Sequence, residues 1–482
     1  MFEIFYLIVI IACLLAELWR QRRGYKVLEE EEGETKTLPP GSMGIPVIGE
    51  TIHFIIQKAD FFRQKRQKYG PIFKTHLLGK PTIRVSGKEN VRRIILGENK
   101  IVQSSYPPSV QKLLGSKSIT ISCGEQHKNK KRQLMKFLSP DFLAQHVDAF
   151  SEISVEYLKK WSDCPSVEIY KECRLLFTDL AARYLVSMDI AAEDNLRMKE
   201  LFQIFSDNLF TFPVNLPGFG FHKALRAKAE LKKMFKKIVE QSGKSSNEFS
   251  SVLEAYGASM NDFSEFNEES FLDAITELLW NASETLSSTA VCVIYLLAKN
   301  PRVLRKLCSE LQEKEFMSTN STQDASGCYG NRPITAKNVL DLHYLDCVVK
   351  EVLRTVPTIG GAYRKVIESF TLEGYTIPKD WRVVIGIRDT HENDISILDP
   401  LEFNPDRWTE AGSTSSIAFL PFGGGARVCP GKNFAKLVLK IFTVELCRRC
   451  DWKLLTDNPE LTLFPTPRPK GNWKVCFFSK FH

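Results

Sequence analysis

Between Asn267 and Ala298 the chain runs for roughly thirty residues with little polar face. Asn267 reads as an N-cap, Glu268 and Glu269 suit the positive end of a helix dipole, and Asn300-Pro301 closes the segment. A helix of that length spans about 45 Å. It has to be buried for most of that distance, and only a large, mainly helical domain offers a core wide enough. With 482 residues, 43% of them apolar, the chain can build one. Sheet signals are local. Ile72 to Val85 alternates and turns at Gly79-Lys80-Pro81, as a β-hairpin does, and Phe370 to Ile387 reads as more sheet, with turn signals at Gly374 and Pro378. Ser318 to Asn331 is a polar loop, and no internal repeat is found. The expectation is a mainly α domain with a small β region.

Lys and Arg exceed Asp and Glu by 65 − 57 = +8. That excess is too small to argue for nucleic acid, and it suits an acidic protein partner or an anionic membrane surface. The 12 cysteines are scattered rather than arranged as a framework, so free thiols in a reducing compartment are expected. Cys447 and Cys450 form a CxxC with no second pair nearby and read as two ordinary helical cysteines rather than a zinc site. Ile4 to Ala16 is unbroken and apolar, followed by Trp19 and then Arg20, Arg22 and Arg23. With no basic start and no small-residue cleavage site, this predicts an anchor over residues 1–23 with the body on the cytoplasmic side, rather than a cleaved signal. Residues 24–40 read as an acidic and Pro-rich linker, and 41–482 as the globular body.

The sharpest chemistry lies near the C-terminus, in Phe422-Gly-Gly-Gly425-Ala-Arg427-Val-Cys429-Pro-Gly431, with a helix expected from about Lys432 to Cys450. Glycines allow close backbone approach to a flat cofactor and positive φ. Backbone N–H groups and the following helix N-terminus favour thiolate over thiol at Cys429. Phe422 can cover the sulfur side of a ring, and Arg427 can pair with a propionate. A thiolate axial ligand pushes electron density onto a haem iron.

This segment resembles the signature of the cytochrome P-450 superfamily, F-x-x-G-x-R-x-C-x-G, and Phe422, Gly425, Arg427, Cys429 and Gly431 fill its specified positions. The resemblance implies the fold of that superfamily around a buried haem b, with iron on Cys429. Glu351 and Arg354 match a pair that in the family locks onto a later arginine, here Arg407, as fold residues. Asn281-Ala-Ser-Glu284-Thr285-Leu286 matches the place of an acid–alcohol pair that relays protons, with Glu284 and Thr285 in those roles. Asn281 and Ala282 stand where small residues, often Gly, are usual, and Leu286 where Thr or Ser is frequent. His127, Lys131 and Arg364 match other propionate contacts.

Segments 38–51, 69–76, 90–94 and 434–452 narrow the resemblance to the retinoic acid hydroxylases, which implies a lipophilic acid as substrate, oxidised with O2. Aromatic positions facing the polyene in that family match Tyr106, Gly218, Trp280 and Tyr363, with Phe219 beside the glycine, and Arg84 is a candidate carboxylate partner. Lys432, Lys436 and Lys440, with Arg448 and Arg449, are expected to form a basic face that docks an acidic NADPH-dependent flavoprotein reductase. Location on the endoplasmic reticulum membrane, facing the cytosol, follows. Competing readings are a hydroxylase of a fatty acid or sterol, a haem–thiolate isomerase or lyase acting on a peroxide, and a haem protein that binds its ligand without turnover.

Overall fold

The computed structural model describes residues 37–46, 48–115, 117–185, 190–241, 268–317, 332–409 and 418–480. The anchor at 1–23, most of the linker at 24–40, the Asn267 cap and the polar loop at 318–331 lie outside these residues. Among the described residues no helix is long and apolar enough to cross a membrane. Within the body two compact units are described in turn, a smaller one of 1–107, 361–393 and 424–427, and a larger one formed by the rest.

The smaller unit is built on a five-stranded sheet. Its strands are β1 (Ile72–Leu77), β2 (Lys80–Val85), β3 (Val102–Ser104), β4 (Gly361–Val366) and β5 (Arg382–Gly386), in the order β1-β2-β5-β4-β3. Only β2 and β5 run parallel. The hairpin forms where expected, but the turn is Leu78-Gly79, both at positive φ, the signature of a two-residue hairpin loop. Pro81 therefore sits in β2 opposite His76, one residue before pairing with β5 begins at Thr82, so its missing N–H leaves no gap in that ladder. Ile83, Val85, Val383 and Ile385 are buried in the sheet, and the unit also holds helices α1 (Ala59–Tyr69) and α2 (Lys88–Leu96), two shorter helices (Thr51–Gln57 and Ile387–Glu392) and a hairpin of Phe370–Leu372 with Tyr375–Ile377. Strands β3 and β4 carry too few alternating residues to announce themselves in the sequence.

The larger unit holds the helices α3 (Gly124–Phe137), α4 (Val147–Ser162), α5 (Ile169–Leu185), α6 (Ala192–Asp207), α7 (Gly220–Gln241), α8 (Glu268–Lys299), α9 (Pro301–Glu313), α10 (His343–Thr355) and α11 (Lys432–Arg449). The long apolar segment is α8, with 32 residues, and it packs against α5, α7, α9, α10 and α11. Small side chains let α5 come close: the Ser287 hydroxyl donates to the Cys173 carbonyl at 3.1 Å. A second sheet of β6 (Cys450–Leu454) and β7 (Lys474–Ser479), with Val167–Glu168, follows α11.

Glu351 is a heavily bonded acid of this unit. Fully buried, its carboxylate accepts from Arg354 Nε and Nη2 at 2.8 Å each, Arg407 Nε at 2.9 Å, Trp408 Nε1 at 2.8 Å and the Asn404 amide at 3.0 Å. The i,i+3 pair expected on α10 and the later arginine are thus brought together.

Candidate active site

Cys429 sits in the larger unit, three residues before α11. Its own N–H donates to the Phe422 carbonyl at 3.0 Å, closing the loop, and its sulfur accepts the backbone N–H of Gly431. The residue retains solvent-accessible surface but is set deep in surrounding protein, and that desolvation pushes the thiol pKa up. The Gly431 N–H and the charge of Lys131 pull the other way, toward thiolate. Phe422 is partly buried against the main core, and His127 is buried on α3 one turn before Lys131.

On α8 the two expected relay residues part company. Neighbours on a helix point about 100° apart. Leu278, Asn281, Ala282 and Thr285 recur at helical spacing and form a half-buried stripe, beside the buried Ser283, Glu284 and Leu286. The Thr285 hydroxyl donates to the Asn281 carbonyl at 2.7 Å. Glu284 turns instead toward α5. It is 2% exposed, lies 3.1 Å from Arg174 Nη2, and accepts from the Tyr170 hydroxyl at 2.9 Å and the Thr466 hydroxyl at 3.2 Å. Burial and the Glu284 charge push the Tyr170 phenol well above its ordinary pKa, so it donates and does not ionise. Glu284 is therefore a charge-paired carboxylate off the Thr285 face, which corrects the expectation of an acid beside the alcohol. Trp280 packs its ring on Phe205 at 5.4 Å and donates to Ser206 Oγ at 2.7 Å, while Phe219 is half exposed. Gly218 has φ +91, a conformation that a phenylalanine would hold only under strain.

In the smaller unit, Tyr106 and Tyr363 are ring neighbours at 5.9 Å. Burial pushes the Tyr363 phenol up to about 12. Arg84 does not have the open guanidinium expected of a carboxylate partner. Its Nε and Nη2 both lie 2.8 Å from Asp389, its Nη1 donates to the Ile385 carbonyl, and it stacks on Phe62. Arg382, missed in the sequence, is 6% exposed beside the Tyr363 ring, and its described partners are that ring and the Leu77 carbonyl, with no carboxylate among them. Also missed was Glu98. Its carboxylate lies 2.6 Å from Arg364 Nε and 3.2 Å from Arg427 Nε, so both arginines expected at propionates converge on one acid. No local pattern marks Glu98, because Arg427 lies 329 positions further along the chain.

The basic face expected on α11 is largely internal. Lys440 is 2% exposed and 2.9 Å from Asp346, Lys436 is half-buried, and Arg448 and Arg449 are ion-paired with the buried Glu445. Lys432 alone of the five is exposed. Period-four lysines on a helix bury their inner member when a neighbouring element supplies an acid, as α10 does here. Among the described residues no group of three or more His, Cys, Asp and Glu could hold a metal ion.

The sequence profile of the Cytochrome P450 family matches residues 39–477. The chain belongs to the cytochrome P450 family. It is 34% identical to cytochrome P450 26B1 of Xenopus tropicalis over 98% of this chain and 92% of that protein. It is 37% identical to cytochrome P450 26A1 of Danio rerio over 92% of this chain and 90% of that protein. A solved structure, retinoic acid bound cyanobacterial CYP120A1, superposes with a TM-score of 0.82 at 32% identity, covering 92% of this chain and all of the other. As a P450 the protein is a haem–thiolate monooxygenase that takes a lipophilic substrate and electrons from a redox partner. Its residues fit that cofactor. Cys429 presents a sulfur that already accepts a backbone N–H. Arg364 and Glu98 are buried ion-pair partners whose facing atoms, Nε and Oε2, make no aligned hydrogen bond, and Arg364 Nη2 has no partner among the described residues.

Proposed function

We propose that this P450 hydroxylates retinoic acid at a haem b, with electrons from an NADPH-dependent flavoprotein reductase. We assign it to the endoplasmic reticulum membrane, held there by residues 1–23 with the catalytic body in the cytosol. The observation that carries the substrate is the likeness, over nearly the whole chain, to an enzyme solved with retinoic acid bound. The haem, when bound, supplies oxygen activation driven by its thiolate ligand.

The chain's own residues do the rest. Cys429 would hold the iron, with the Gly431 N–H steadying charge on its sulfur. Arg364, Arg427, His127 and Lys131 are assigned to the propionates, and Phe422 to the sulfur-side face. Thr285, on the half-buried stripe of α8, passes protons through its hydroxyl, which the Asn281 carbonyl holds at rest. Glu284 can serve that path only when Arg174 releases it. Tyr106, Tyr363 and Trp280 are the aromatic residues assigned to the polyene. Arg382 replaces Arg84 as the candidate for the carboxylate, because a buried guanidinium without an acid is an anion site.

Product analysis tests this directly: retinoic acid, reductase and NADPH should give a hydroxylated retinoid. NADPH consumption without product would point to another lipophile, such as a fatty acid or sterol. Turnover of a hydroperoxide without NADPH would indicate the isomerase or lyase, and binding with neither activity a passive haem protein. Arg382→Gln should weaken the retinoic acid difference spectrum about tenfold and leave that of retinol unchanged.

A further inference from the structure

We propose that Glu98 is a positioning residue for the cofactor, joining Arg364 and Arg427 through their Nε atoms so that both guanidiniums are held in place for the propionates, Arg364 through Nη2. This rests on the assignment of those two arginines to the propionates. The carboxylate is itself fixed. Glu98 follows α2 in a tight turn in which the Ile101 N–H donates to the Gly97 carbonyl at 2.9 Å and the Asn99 N–H to the Val102 carbonyl at 2.7 Å. A side chain at Gly97 would meet Ile101 Cγ1 at 2.4 Å, so the turn has no slack. Glu98 Oε1 also accepts the Ser104 N–H at 3.0 Å, and Ser104 is the residue opposite Arg364 in the β3–β4 ladder. The acid thus closes the end of the ladder that carries one of its arginines.

The other arginine arrives from the glycine turn. Gly425 has φ +58, and a Cβ there would lie 2.8 Å from the Ile95 carbonyl oxygen. The turn carrying Arg427 is therefore seated on the end of α2, three residues before Glu98. One short segment receives the turn and supplies the acid that orients its arginine.

Charge explains why an acid is needed. The guanidiniums of Arg364 and Arg427 have side chains 7% and 10% exposed, and with no intervening negative charge they would repel. Glu98 brings the cluster to one net positive charge, still attractive to a carboxylate. Arg364 Nη1 is spent on the Tyr363 carbonyl at 2.9 Å, which leaves Nη2 to reach outward.

The test compares haem-loaded Glu98→Gln, Glu98→Asp and the parent for the rate of haem transfer to apomyoglobin and for the ferric/ferrous midpoint potential. Glu98→Gln should lose haem about tenfold faster, as loss of an outer-shell partner typically does. Its potential should move upward, because removing a negative charge favours the reduced iron. Glu98→Asp keeps the charge and shortens the reach, so it should lose haem faster while holding the parent potential. Parent-like haem loss and potential in Glu98→Gln would overturn the proposal. If that variant fails to accumulate with haem, parent-like haem loss in Glu98→Asp would overturn it equally. Arg364→Gln and Arg427→Gln separate the two layers: parent-like haem retention in both would defeat the propionate assignment, whereas faster loss in both with none in the Glu98 variants defeats the role of Glu98 alone.

Discussion

Replacing Glu351 by Gln keeps the shape of the side chain and removes its charge. The parent carboxylate takes five donors, three on Oε1 and two on Oε2. An amide leaves only one oxygen. With that oxygen in the Oε1 position, the new NH2 group confronts Arg354 Nε and Trp408 Nε1, two buried donors that lose their acceptor. Each lost bond costs about 1–3 kcal/mol, and breaking a buried ion pair from one side costs about 3–5 kcal/mol in total. A chain of 482 residues has an unfolding entropy near 1 kcal/mol per degree at the midpoint. The melting temperature should therefore fall by about 3–5 °C. The assay is a thermal scan at one fixed rate on haem-loaded protein, followed both by far-UV circular dichroism and by the ferrous–CO band. A shift below about 1 °C on both probes would refute the reasoning, because Glu351 would then not be organising the segment from Asn404 to Trp408.

Lys440→Met removes one of two ammonium groups that hold Asp346. Burial raises that carboxyl, but bonds to Lys350 and Lys440 outweigh it and bring it down to about 2. A lowered carboxyl contributes stability above its unfolded pKa near 4 and loses it as pH falls through about 2, so the variant should melt about 1–2 °C lower at pH 6, with the deficit shrinking below pH 4. The Cys308 thiol is lowered by its bond with Cys447, so its alkylation by iodoacetamide should set in at lower pH than that of an ordinary thiol, and Cys447→Ala should move that profile to higher pH. Gly425→Ala places a Cβ against the Ile95 carbonyl at a positive φ, a strain of about 1–3 kcal/mol, and purified protein should carry less haem.

What the sequence shows is what local chemistry decides. The long α8, the hairpin of β1 and β2 and the cysteine loop each depend on neighbours within a turn or a strand, and each appears where its residues place it. Strands β3 and β4 were not legible, because their burial is imposed by partners far along the chain. The same separation hid Glu98 and Arg382. It also misled the reading of Lys440 and Arg84, since a basic residue looks alike in sequence whether it faces water or an acid supplied from elsewhere. Glu284 and Thr285 are adjacent in sequence, yet on a helix adjacency means different faces, and only the position of Arg174 on α5 shows which face the acid takes.

Two of the buried acids that hold arginines, Glu351 and Glu98, look alike in composition and differ in what is left over. Each sits between two guanidiniums, and neither pair would be chosen for stability alone, since well-packed apolar residues serve as well. Around Glu351 the remaining arginine nitrogens reach the carbonyls of Leu398, Asp399, Pro400 and Glu402, so their donors are taken up within the protein. Around Glu98 the bonding stops short: Arg364 Nε and Glu98 Oε2 are paired without an aligned hydrogen bond, and Arg364 Nη2 has no described partner. A cluster whose donors are taken up by backbone carbonyls fixes a fold, and one that keeps a donor such as Arg364 Nη2 has a bond left to offer. That difference, rather than the count of arginines or the net charge, separates the scaffold at Glu351 from the cluster at Glu98 that we propose faces the cofactor.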